Sequence, residues 1–113
     1  MENINFINLT PHKLNIVRES GIIATFNSEG VARLATSVKE HPSIAGFPVT
    51  SQVLGEITDL PEPQEGTIYI VSSLVMMKAR RADVVAPGPA IRDDEGRIIG
   101  ANGLSAHPDL EEL

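Results

Sequence analysis

Gly66-Thr-Ile-Tyr-Ile-Val-Ser-Ser-Leu-Val-Met-Met-Lys-Ala-Arg-Arg81 is the stretch where the hydrophobic pattern changes from that of a strand to that of a helix. Thr67 to Val71 is a short run, apolar apart from its hydroxyls, which suits a strand buried on both faces. Ser72 or Ser73 then supplies an N-cap, its side-chain oxygen accepting from a free amide of the first helical turn. Beyond the cap, Leu74, Val75, Ala79 and Ala82 share one side of a helix predicted over 72–82, and that side is expected to pack on a sheet. Lys78, Arg80 and Arg81 fall near the helix C-terminus, where cations complement the macrodipole.

Upstream, Ile4 to Leu9 reads as a strand ended by Thr10-Pro11, and Lys13 to Arg18 as a half-buried second strand beside it. Ile22 to Phe26, the turn Asn27-Ser28-Glu29-Gly30 and Val31 to Val38 read as a hairpin, with Gly30 supplying the positive φ that closes the turn. Asp93-Asp94-Glu95-Gly96 repeats that turn design between Pro89–Arg92 and Arg97–Ile99. Lys39 to Gly46 reads as a connector broken at His41-Pro42 and at Gly46, with a helical turn near Ser37 to His41. Phe47 to Thr58 is extended, with a bulge expected at Gly55 and Pro48 at a strand start. Asp59 to Gly66 forms a proline-stiffened ledge around Pro61 and Pro63.

These segments amount to about seven short strands and one main helix, an α+β arrangement. The expected form is a mainly antiparallel, curved sheet or small barrel. A chain of 113 residues matches one domain, assigned here to 1–108, with an acidic tail at 109–113. The four aromatic residues, Phe6, Phe26, Phe47 and Tyr69, leave the core to aliphatic side chains and argue against base stacking. A formal net charge of −6 repels polyanions, so nucleic acid is not expected as a partner. The absence of cysteine excludes a thiolate nucleophile and fits a reducing compartment. The opening Met-Glu-Asn-Ile-Asn lacks signal-peptide character, and no run approaches a membrane span. A cytoplasmic protein is expected.

Six residues have chemistry suited to a ligand. Ser72 and Ser73 open the helix, where free amides favour an anion such as a phosphate. Arg81 and Arg92 carry guanidinium forks matched to phosphate, though Asp83 and Asp93 to Glu95 are ready intramolecular partners. Thr10 and His12 sit in the first turn, His12 being the one histidine placed to act as a base. His41 and His107 precede prolines in connectors, and no histidine spacing makes a metal site. The glycines from Gly96 to Gly103 lack the strand-turn-helix context of a phosphate loop, and no Gly-x-Ser-x-Gly elbow occurs. No catalytic residue, metal or cofactor is assigned.

Asn8-Leu9-Thr10-Pro11-His12, Gly55-Glu56-Ile57 with Leu60-Pro61-Glu62-Pro63, Ile70-Val71-Ser72-Ser73, and Pro87-Gly88 with Ile91-Arg92-Asp93 resemble a group of small uncharacterised proteins encoded by bacteria and their phages. That resemblance implies a cytoplasmic protein of phage or mobile-element origin and assigns no activity. The expected function is a non-enzymatic interaction module that self-associates or binds a host protein. The alternatives are a binder that sequesters a small anionic ligand such as a nucleotide, and a small hydrolase or transferase using His12.

Overall fold

The computed structural model describes residues 4–19 and 21–112. The expectation drawn from the first three residues, and the end of the acidic tail, lie outside them. In chain order the elements are β1 (Asn5–Asn8), β2 (Leu14–Arg18), β3 (Gly21–Phe26), β4 (Arg33–Ile44), β5 (Phe47–Thr58) and β6 (Thr67–Ile70). They continue with α1 (Ser73–Ala79), β7 (Val84–Pro87), β8 (Ala90–Arg92), β9 (Ile98–Ala101) and β10 (Leu104–Ala106). A short 3-10 turn at Leu110–Glu112 follows, where a frayed tail was expected.

The strands lie in several sheets and form no closed barrel. One sheet has the order β1-β6-β7-β10, a second β3-β2-β9-β8, and β4 pairs with β5 alone. The expected single curved sheet of seven strands is therefore replaced by ten strands, among the described residues, in three groups. The first sheet is also less antiparallel than expected, because β1, β6 and β7 run parallel. β6, α1 and β7 make a strand-helix-strand unit, the usual way to join parallel neighbours.

β6 is the buried strand its sequence indicated, with Tyr69 and Ile70 at 1% and 0% exposure. Tyr69, Val71, Val84 and Ala86 meet Val75 and Met76 of α1 in the main core, joined by Leu9 and Ala32. The helix is shorter than 72–82. Ser72 caps it as expected, its Oγ accepting from Val75 N at 3.4 Å. Arg80 ends it in the left-handed conformation, φ 51°. Val75 and Met76 face the core and Ala79 packs against it, while Leu74 and Ala82 are exposed, so the buried stripe is 75, 76 and 79 in place of the expected 74, 75, 79 and 82.

The loop between β1 and β2 folds back on Asn8, which is fully buried. Asn8 Nδ2 donates to the carbonyls of His12 and Phe26, both at 2.9 Å. Asn8 Oδ1 accepts from Thr10 N and Thr10 Oγ1 at 3.0 and 2.7 Å. Next to it Glu29 N donates to Asn8 O and Ala32 N to Leu9 O. These bonds explain why the expected hairpin at Asn27–Gly30 is absent: the backbone of 27–32 pairs with the first loop, and β3 pairs with β2 instead. β1 likewise takes β6 as its neighbour and not β2.

The hairpin at Asp93–Gly96 forms as its sequence indicated. Gly96 has φ 84°, Gly96 N donates to Asp93 O, and Asp93 N donates to Arg97 O. Asp93 Oδ1 accepts from the backbone amides of Arg97 and Glu95 at 3.0 and 2.9 Å. The Arg97 amide first, with smaller help from the Glu95 amide and the Arg97 side chain, holds the Asp93 carboxyl below its ordinary value. A lowered folded-state value means that the ionised carboxylate supports the turn above the ordinary aspartate range, and that this support is lost as pH falls through the lower, folded value. Asp93→Asn keeps an acceptor oxygen and is expected to abolish that response. The check is the Gly96 amide chemical shift followed through acid titration, which should move with pH in the parent and stay flat in the variant.

β4 and β5 form the largest departure from expectation. Lys39 to Gly46 is neither a connector nor a helical turn: β4 and β5 are each 12 residues long and make one ribbon. Pro42 is tolerated because it falls in the register shift between His41 and Ile44. Ala45 and Gly46 form the tip, both at positive φ (51° and 83°), the backbone of a tight two-residue hairpin. A second shift, near Ala35, carries the expected bulge at Gly55, where an added Cβ would lie 3.2 Å from Ala35 O.

Candidate functional site

The six sequence-derived candidates are distributed around the body. Thr10 is turned inward onto Asn8, with its hydroxyl 2.7 Å from Asn8 Oδ1 and 3.0 Å from His12 O. His12 lends its carbonyl to the same hub, and its residue is exposed. Ser72 is occupied as the helix cap. Ser73 is exposed in the first turn of a helix only 7 residues long.

Arg81 is committed within the fold. Its fork meets Asp83 twice, Nε to Oδ1 at 2.9 Å and Nη2 to Oδ2 at 2.7 Å. Its Nη1 donates to Pro61 O at 3.0 Å, and its guanidinium lies 5.9 Å from the centroid of the Tyr69 ring. Tyr69 in turn donates to Glu62 O, so the Pro61–Pro63 ledge is ordered against β6 and Arg81. Arg92 donates to Gly96 O at 2.7 Å across its own hairpin. A depression beside the start of α1 is lined by Ser72, Pro11, Leu34 and Val75, and another beside the helix end by Arg81, Lys78 and Glu56. Ser72 and Arg81 thus line different depressions, and Arg92 lines neither.

Among the described residues, no group of three His, Asp or Glu side chains gathers in a metal-binding arrangement. No helix among the described residues is long and apolar enough to cross a membrane.

The feature that the sequence reading missed is the ribbon of β4 and β5. Its base is held by Leu34 and Ile57, which pack against the main core. Beyond that base Val38 (69%), Val53 (43%), Leu54 (38%), Ile44 (66%) and Phe47 (71%) are exposed. At ~3.3 Å per residue, the part from Thr36 to the tip reaches about 30 Å from the body. The radius of gyration is accordingly 17.0 Å, against about 13 Å for a compact domain near this size.

The arm's charge is as distinctive as its shape. From Arg33 to Thr58 two bases, Arg33 and Lys39, balance two acids, Glu40 and Glu56. His41 to Gly55 contains no Lys, Arg, Asp or Glu at all. The net −6 of the chain is therefore carried by the body, and the far half of the arm is uncharged. On the arm His41 Nε2 is hydrogen-bonded to Ser51 Oγ.

No protein-family model, curated protein or solved structure matches this chain.

Proposed function

We propose that the protein is a self-associating, non-enzymatic interaction module, and that the β4–β5 arm is its contact element, covered by further copies of the same chain. The observation carrying this reading is a ribbon of zero net charge, its far half without charged residues and its apolar side chains exposed, projecting from an acidic body.

Two-stranded ribbons are marginal in water unless a face is covered, yet this one exposes five large apolar side chains. Each contributes at most roughly 1.5–3 kcal/mol when fully buried. Together they are of the size needed to offset the association cost of about 4–15 kcal/mol. Copies of a chain this acidic repel one another, and the arm is where contact brings least charge together. The exposed set extends beyond the arm, to Ile22, Ile23, Ile98 and Ile99 on the second sheet.

A small anionic ligand is less well supported, since Arg81 would have to leave a two-bonded partnership with Asp83 to receive it.

The test is the solution mass at tens of micromolar, for the parent and for Val38→Glu/Val53→Glu. The parent is expected at a multiple of the 12.1 kDa chain mass, and the double variant as a folded single chain. A parent that stays a single chain overturns the proposal, as does a double variant with the parent's mass.

A further inference from the structure

We infer that each arm is clasped on both faces by two other copies, one face lying against the opposite face of the next arm, so that the copies associate head to tail. This rests on the arm-mediated self-association proposed above and adds its geometry.

Paired residues in an antiparallel ribbon share a face, and successive residues alternate between faces. Thr36 pairs with Leu54, Val38 with Gln52 and Glu40 with Thr50, which places Val38, Leu54 and Glu40 on one face. Ser37 pairs with Val53, Lys39 with Ser51 and His41 with Val49, which places Val53, Val49 and Lys39 on the other. Between Thr36 and His41 one face thus presents Val38 and Leu54 with Glu40, the other Val53 and the half-buried Val49 with Lys39, so the two charges have opposite sign. Ile44 and Phe47, paired beyond the register shift, share one face at the tip.

A single two-fold contact would lay one face on its own copy and leave the other bare. It would also bring Glu40 toward Glu40, or Lys39 toward Lys39, in a layer that excludes water. Stacking the Glu40 face on the Lys39 face covers both apolar pairs and sets opposite charges across the interface. Stacked sheets lie about 10 Å apart, within reach of a Glu and a Lys side chain from opposite layers. Such a contact uses different patches on its two partners, so repetition gives either a closed ring or a filament. The charge of −6 per chain sits on the bodies and accumulates with every added copy, which limits how many copies join.

The test is complementation between two variants, one with the first face blocked (Val38→Glu/Leu54→Glu) and one with the second (Val49→Glu/Val53→Glu). All four positions lie outside the main core, and circular dichroism checks that each variant is folded. Each variant alone is expected as a single chain by sedimentation velocity. Mixed in equal amounts, they are expected to form a species of two chains, because each retains the face the other lacks. Lys39→Glu is expected to weaken assembly at least tenfold, and Lys39→Glu/Glu40→Lys to restore it, since that pair of changes exchanges the two signs.

Either single-face variant retaining a two-chain mass overturns the inference, because like faces would then be pairing. A mixture that remains single-chain overturns it too, as does failure of the double charge exchange to restore assembly. In all of these cases the self-association of the parent stands. A parent that is itself a single chain removes the underlying reading instead.

Discussion

Asn8→Asp is expected to lower the melting temperature at neutral pH by roughly 10–20 °C, equivalent to about 3 kcal/mol for a domain of this size. The Asn8 side chain makes four hydrogen bonds at zero exposure, two donated and two accepted. That is the full inventory of a primary amide. An aspartate of nearly the same shape has no donor for the carbonyls of His12 and Phe26. It would place a buried charge against two carbonyl oxygens and remove the amide donor from both, leaving the His12 carbonyl only the Thr10 hydroxyl at 3.0 Å. Unsatisfied buried groups cost about 1–3 kcal/mol each, and more when charged. Thermal unfolding followed by circular dichroism gives the readout, with Asn8→Ala as a second variant that removes the bonds without adding charge. A fall of under about 3 °C in both variants would show that the hub does not hold the fold. The hub also anchors the arm, since the chain runs from Glu29 and Ala32, bonded to Asn8 and Leu9, directly into β4.

Gly88→Ala is expected to be as damaging, for a steric reason. A Cβ at Gly88 would lie 2.3 Å from Asn102 O and 2.9 Å from Gly103 O. Both are backbone atoms and cannot rotate away. Gly88 N donates to Gly103 O at 2.9 Å and Asn102 N to Pro89 O at 2.7 Å, so relief of the clash breaks the bonds that join β7–β8 to β9–β10. Overpacking of this kind costs about 1–3 kcal/mol, occasionally more, and two lost backbone bonds place this case at the upper end. Gly21→Ala is the matched control: its Cβ would meet nothing within 4 Å, and a change within about 0.5 kcal/mol is expected. Chemical denaturation of the two variants side by side measures the difference. Equal midpoints would contradict the close approach at Gly88.

The parts of the fold that were legible in the sequence are those decided locally. Thr67 to Ser73 carries a buried-strand run and a capping serine in succession, and both formed. The Asp93–Gly96 turn formed because the Asp93 carboxylate bonds its own backbone and Gly96 takes positive φ, all within five residues. Asn27–Gly30 has nearly the same turn chemistry and did not form a hairpin, because Asn8 and Leu9, distant in sequence, claim its backbone. There a tertiary partner overrode a local signal. The arm failed to show itself for the opposite reason. His41-Pro42 and Gly46 are breaks by local rules, but a proline at a register shift costs an isolated ribbon no ladder bond, and Gly46 serves as the tip.

The same distinction governs the candidate site. Ser72 was legible as a cap because capping is local. The commitment of Arg81 to Asp83 and of Arg92 to Gly96 is local as well, and acidic or turn partners stand two and four residues away. The exposure of Val38, Ile44, Phe47, Val53 and Leu54 was not legible. A strand with apolar residues on both faces reads as a buried strand, and only the pairing of β4 with β5 alone, together with these exposures, shows that no other described residue covers them.

Sedimentation velocity of the unmodified protein at tens of micromolar decides whether the arm joins copies of the chain. A species heavier than the 12.1 kDa chain is expected, lost when charges are placed on both faces of the arm by Val38→Glu/Val53→Glu. A parent protein that sediments as a single chain across that range would contradict it.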